Sequence, residues 1–293
     1  SLVDSFARQI PTRTILKNFY SRRFLRIAPA LSITTLVVLG LSVLIFSPYG
    51  EIQAISVSSI AGLGFVSNAR FFLLNDYTSL ANDPFRHTWS LAVEEQLYLG
   101  FPVLLIFVFG FGKTLNVRKY VILLSSFTII SFVLCVLSTF GVHLIPLPER
   151  FAFYSPVTRG WQFLLGALLA VARPKPHQFL RSRSPTFLRG LQVLGCLGIT
   201  FSALRLDVFV DYPGWYSLIP TISTTLILIP VLQGLEWNSM LVKPFRYSGD
   251  VSYSFYLIHW PTLVILNRIV VMSAYLKIFV MAIAFLLAMV QYH

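Results

Sequence analysis

Charge is scarce in this chain. Of its 293 residues only 12% are charged, and 11 acidic side chains face 23 basic ones. Soluble domains carry about 25% charged residues. With 56% hydrophobic residues and a mean hydropathy of +0.75, an ordinary soluble domain is excluded. Cysteine is almost absent too. Cys135 and Cys196 both lie in apolar runs, with no metal-ligand spacing and no disulfide framework. No internal repeat and no low-complexity segment is visible, which weighs against a transporter built from inverted repeats. The chain opens Ser-Leu-Val-Asp without a signal peptide and closes Gln-Tyr-His directly after an apolar run. It is expected to be a piece cut at both ends.

Apolar runs near the length of a bilayer core recur along the chain. They predict an all-α, polytopic membrane bundle. A β-barrel would show short alternating segments, and these runs are continuous. The first covers 27–47, where 21 residues at ~1.5 Å each reach about 31 Å. Further candidate spans are 89–111, 120–140, 157–172, 190–206, 214–234, 250–268 and 274–291. Segment 52–74 is broken by serines, glycines, Asn68 and Arg70.

Loop charge arbitrates. Segments 1–26, 112–119, 173–189 and 235–248 are basic, while 141–156 and 207–213 are neutral or acidic. The positive-inside rule assigns the first set to the cytoplasm. An even number of crossings then separates 1–26 from 112–119. Segment 52–74 is accordingly expected to be re-entrant or interfacial. Eight spans follow, with nine as the alternative. The net charge of +12 lies in these short loops, without a basic, aromatic-laced stripe, so no nucleic-acid partner is expected.

Against this background one stretch stands out: His87-Thr-Trp-Ser-Leu-Ala-Val-Glu-Glu-Gln-Leu-Tyr98. Glu94 and Glu95 fall inside what reads as a membrane helix, and an intramembrane acid is a functional-site hypothesis by default. Asp83 and Pro84 read as an N-cap and first helical residue. A helix starting there would put His87, Ser90, Leu91, Glu94 and Tyr98 on one stripe. The competing reading is a buried network that fixes helix packing.

Three other positions carry chemistry. Arg23 and Arg26 share a helix face, with Arg22 beside them, at the mouth of the first span. Guanidinium forks suit phosphate groups. The same cluster also reads as a topology anchor or a lipid headgroup contact. His259 lies within a span, where it could simply bond a neighbouring carbonyl. Arg159 could pair with a glutamate or snorkel to the surface.

Three blocks together resemble the acyltransferase-3 family of bacterial membrane O-acyltransferases: residues 19–29, 87–98 and 248–261. The resemblance implies an integral inner-membrane enzyme. It would move an acyl group, usually acetyl, from cytoplasmic acyl-CoA to a glycan hydroxyl at the outer face. On that pattern Arg22, Arg23 and Arg26 would hold the acetyl-CoA phosphates, and His87, Glu94 and Glu95 would serve the transfer. Ser90, Tyr98, Arg159 and His259 are further candidates, and no metal is implied. The family pattern also has two earlier spans, the first bearing a histidine, before the position of Ser1. Gln162 stands where the family usually has Glu. The whole chain is expected to form one acyltransferase domain, with 1–26 cytoplasmic and 27–291 the bundle. A transporter or flippase for a lipid-linked saccharide is the alternative function, and an inactive fragment a third. The glycan's identity and the oligomeric state are not specified by the sequence.

Overall fold

A computed structural model describes residues 11–74, 82–109, 117–142, 146–171, 184–206, 211–232 and 243–293. Among them every regular element is helical. In chain order these are α1 (Thr12–Ile45), α2 (Glu51–Leu63), α3 (Ser67–Leu73), α4 (Thr88–Phe109), α5 (Val117–Thr139) and α6 (Pro148–Tyr154). There follow α7 (Pro156–Val171), α8 (Pro185–Arg205), α9 (Leu218–Leu232), α10 (Lys243–Ile269) and α11 (Ala274–Tyr292). Five described segments are long and apolar enough to cross a membrane: Thr12–Ile45, Tyr120–Thr139, Pro185–Arg205, Trp215–Leu232 and Ala274–Tyr292. The chain is a multi-pass helical membrane protein. The expected spans 89–111, 157–172 and 250–268 are helical as α4, α7 and α10. Several basic loop residues behind the topology argument, including Lys113, Arg173 and Arg181, lie outside the described residues.

The break at 52–74 is real. α2 has 13 residues and α3 only seven, so neither reaches the ~20 residues a crossing needs. Gly50, at φ +93°, makes the turn that opens α2. Gln53 Oε1 caps it by accepting from Gly50 N at 2.8 Å. Between α2 and α3, Phe65 takes the left-handed φ of 53° that a bulky residue rarely adopts.

α1 runs further than the expected first span. Its 34 residues reach about 51 Å, so the basic stretch from Arg13 to Arg26 is one helix with the apolar stretch after it. The start of α4 also differs from expectation. Asp83 and Pro84 do not cap it. The N–H groups of Arg86, Thr88, Trp89 and Ser90 each bond the carbonyl three residues back, and the α-helix begins at Thr88. These tighter turns place His87 before the α-helix and keep it in line with Ser90, and Tyr256 meets both.

The described chain divides into two compact units. The terminal unit takes in described residues 11–96 and 243–293. Its core joins Val38, Phe46, Ile55, Phe85, Val264 and Ile265, with a second cluster of Leu31, Leu91 and Leu257. The central unit takes in described residues 97–232. Its core joins Leu105, Tyr120, Leu124 and Leu164. There α8 and α9 approach closely because Gly195 lacks a side chain. A Cβ at that position would lie 2.5 Å from Ser223 O and 2.7 Å from Ile227 Cγ1.

Candidate active site

The terminal unit gathers most of the chemically capable residues. On α1, Arg23 projects a two-pronged contact onto Glu95 of α4. Its Nε donates to Oε2 at 2.8 Å and its Nη2 to Oε1 at 2.5 Å. The same Nη2 reaches Glu94 Oε1 at 3.3 Å. The two carboxylates are unequal. The Glu95 side chain is 11% exposed and the Glu94 side chain 55%. Adjacent positions differ by about 100° around a helix, which turns one acid inward and the other toward the surface. Charge-assisted, bidentate contacts of this kind are among the strongest polar pairs. Arg22 and Arg26 are exposed, and Arg22 Nε bonds only its own helix, at Asn18 O.

α10 supplies the second wall. Tyr253, Tyr256 and Trp260 recur at three- and four-residue steps and so share a face. Tyr253 donates to Ile27 O at 3.1 Å, close to the Arg-rich block. The Tyr256 hydroxyl donates to the His87 carbonyl and sits 2.6 Å from Ser90 Oγ. The His87 ring lies against the rings of Tyr256 and His259, with centroids 5.3 and 5.7 Å away. His259 Nδ1 is 3.1 Å from Phe255 O. A carbonyl can only accept, so Nδ1 donates in this contact.

Both ring nitrogens of His87 are buried and unpartnered. The Pro84 and Leu257 carbonyls favour the charged ring but close no hydrogen bond on it. Burial, and after it the neighbouring His259, outweighs them and pushes His87 down to about 3. The ring is neutral at physiological pH. Ordinary buried imidazoles are satisfied, so an unsatisfied pair of nitrogens here calls for a functional account.

The turn carrying His87 is held from below. Asp83 Oδ1 accepts from Phe85 N at 2.8 Å, and Oδ2 accepts from Ser58 Oγ at 2.5 Å. Arg70 Nε donates to that same Ser58 oxygen at 2.8 Å. Trp260 Nε1 donates to Asp83 O at 2.9 Å. Burial raises the Asp83 carboxyl, while Ser58, Phe85 N–H, Arg70 and Arg86 oppose that rise. Further along α4, Gln96 and Asn68 exchange amide bonds of 2.9 and 3.2 Å, and Gln96 also donates to Phe65 O at 2.8 Å. That bond grips the strained residue between α2 and α3.

The other candidates belong to the central unit. Tyr98 packs edge-on against Phe163, and the Arg159 guanidinium lies over the rings of Phe153 and Tyr212. Gln162 reaches Thr221 Oγ1 at 3.4 Å. Among the described residues no group of three His, Cys, Asp or Glu could hold a metal ion. Sequence reasoning passed over Asp83 as more than a cap, over Ser58 and Arg70, and over the two α10 tyrosines. The signal was present in the polar residues of 52–74 and the three-residue tyrosine step.

These features define a multi-pass membrane protein with a polar, chemically equipped helical unit. The acyltransferase-3 family, described as an acyltransferase domain, matches residues 5–291. The chain belongs to that family. It is 31% identical over 260 residues to the O-acetyltransferase OatA of Staphylococcus aureus (strain NCTC 8325 / PS 47), covering 86% of this chain and 42% of that protein. A putative O-acetyltransferase of Staphylococcus aureus (strain COL) is 28% identical over 258 residues, covering 84% and 40%. The chain thus spans about two-fifths of the length of these relatives. No solved structure matches it.

Proposed function

We propose that this chain is the membrane part of an O-acyltransferase that moves an acetyl group from acetyl-CoA to a hydroxyl of a cell-surface glycan. It would lie in the bacterial inner membrane, cross it eight times and act as one domain. The observation that carries the reading is the union, in one unit, of the Arg23–Glu95–Glu94 cluster with the unsatisfied His87 beside His259 and Tyr256. Membership of the family and the names of the relatives support it.

The chemistry needs a base for the hydroxyl and a donor for the oxyanion. The glycan oxygen attacks the thioester carbonyl, the carbon–sulfur bond breaks, and the hydroxyl proton passes by way of the protein to the departing thiolate. Glu94, the exposed acid, can accept that proton, and the neutral, buried His87 can orient the attacking hydroxyl. Arg23 is already engaged by carboxylates, so its role is to hold α4 in place. Arg22 and Arg26, both exposed, are the better phosphate contacts.

The test uses the full-length protein in membranes supplied with labelled acetyl-CoA. Label should appear in glycan with the wild type and fall sharply with His87→Ala. Arg22→Ala/Arg26→Ala should raise the KM for acetyl-CoA, each lost phosphate contact costing about 1.5–3 kcal/mol. No transfer by the wild type, with saccharide crossing the membrane instead, would favour the flippase reading.

A further inference from the structure

The non-crossing helices α2 and α3 have no assigned task, yet they hold one side of the turn that carries His87. We infer that Asp83 is the positioning residue for His87, gripped from α2 and α3 by Ser58 and Arg70. This rests on the reading of His87 as part of the transfer machinery.

Three observations support it. First, the Asp83 carboxylate uses both oxygens inward, on Phe85 N at 2.8 Å and Ser58 Oγ at 2.5 Å. Neither contact is to a reacting group, so Asp83 acts through the backbone of residues 83–88. Second, the grip continues into the short helices. Arg70 of α3 donates both to Ser58 Oγ at 2.8 Å and to Ala54 O at 3.0 Å, tying α3 to α2 at the point where Ser58 meets Asp83. Third, the far side of the turn is fixed by α10 through Trp260 Nε1 on Asp83 O. The His87 ring makes no hydrogen bond of its own, so its place is set by packing against Tyr256 and His259 and by its main chain. That main chain is held by the Tyr256 hydroxyl at the His87 carbonyl and by Asp83 four residues earlier.

The experiment compares Asp83→Ala, Asp83→Asn, Ser58→Ala and His87→Ala, alone and combined, in the full-length protein. Asp83→Ala should lower kcat about 10- to 100-fold, within the range of a general acid–base contribution. The KM for acetyl-CoA should stay within about twofold. Asp83→Asn keeps an oxygen for Phe85 N–H and should restore most of kcat, and Ser58→Ala should cost a few-fold. The deciding readout is the pairing with His87→Ala. If Asp83 acts through His87, neither Asp83→Ala nor Ser58→Ala lowers activity further once His87 is gone. Full additivity in both pairs would overturn the inference. So would unchanged kcat in Asp83→Ala while His87→Ala is inactive, a result that leaves the proposed function standing. Wild-type turnover in His87→Ala would overturn both.

Discussion

The two units solve the same problem differently. Each must satisfy hydroxyls and amides in a largely apolar setting. In the central unit the hydroxyls mostly turn back on their own helix. Thr128 donates to Leu124 O, Thr200 to Cys196 O, Ser202 to Gly198 O and Ser223 to Ile219 O, each four residues away. In the terminal unit polar side chains reach partners far along the chain: Arg23 to Glu95, Ser58 to Asp83, Gln96 to Asn68, Gln291 to Thr34. Such hydroxyls leave more of the helix contact to packing, with Ser131 as one polar link, donating to Val157 O and accepting from Trp161 N. Cross-linked polar groups hold specific atoms at specific places, which is what acyl transfer requires.

The contrast can be broken at several points. Glu94→Gln should give the largest effect, a fall of about 10²–10⁴-fold in glycan acetylation. Because Glu94 is more than half exposed, its ion pair adds little, and the melting temperature should barely move. An active Glu94→Gln protein would reduce the cluster to packing. Glu95→Ala should do the reverse. It removes the two shorter carboxylate contacts of the part-buried Arg23 and should destabilise the fold by about 1.5–3 kcal/mol, read by thermal denaturation in detergent. In the central unit Gly195→Leu should cost about 1–3 kcal/mol by forcing α8 from α9, while turnover per folded molecule holds.

A further effect concerns pH. The His87 pKa is lowered in the folded state to about 3, from an ordinary value of ~6.5. Its contribution to stability is therefore complete above about 6.5 and is lost as pH falls toward 3. His87→Asn lacks that component, so its melting temperature should fall less than the wild type's between pH 7 and pH 4. Equal slopes would mean the ring is not held neutral by its surroundings. Thr128→Val should be the mildest change, about 0.5 kcal/mol or less, because its hydroxyl serves only its own helix.

Much of the helical architecture was legible from residues alone. Long apolar runs predicted the helices; serines, glycines and Arg70 left 52–74 ambiguous, loop charge set it aside, and two short helices stand there. The three sequence blocks also drew attention to Arg23, His87, Glu94 and His259 before any geometry was known. Partner choice was not legible. Helical periodicity says which way a side chain points around its own axis, but not which turn of a neighbouring helix it will meet. Arg23 therefore read as a phosphate ligand, although it closes on Glu95. The start of α4 was misread because Asp-Pro is a common helix opening. Here Asp83 instead closes a turn on Phe85 N and binds Ser58, a partner 25 residues away.

Within the long helix α1, Arg23 meets Glu95, while Leu31, eight residues on, packs with Leu91 and Leu257. On α4 the matching positions, Leu91 and Glu95, are four apart. The helix thus works as a ruler with two marks. Adding or deleting one residue between Arg23 and Leu31 would rotate one mark about 100° against the other. Between these two positions it is the length of the chain, more than the identity of most residues in it, that is constrained. Chimeras joined within that interval should tolerate substitutions far better than insertions.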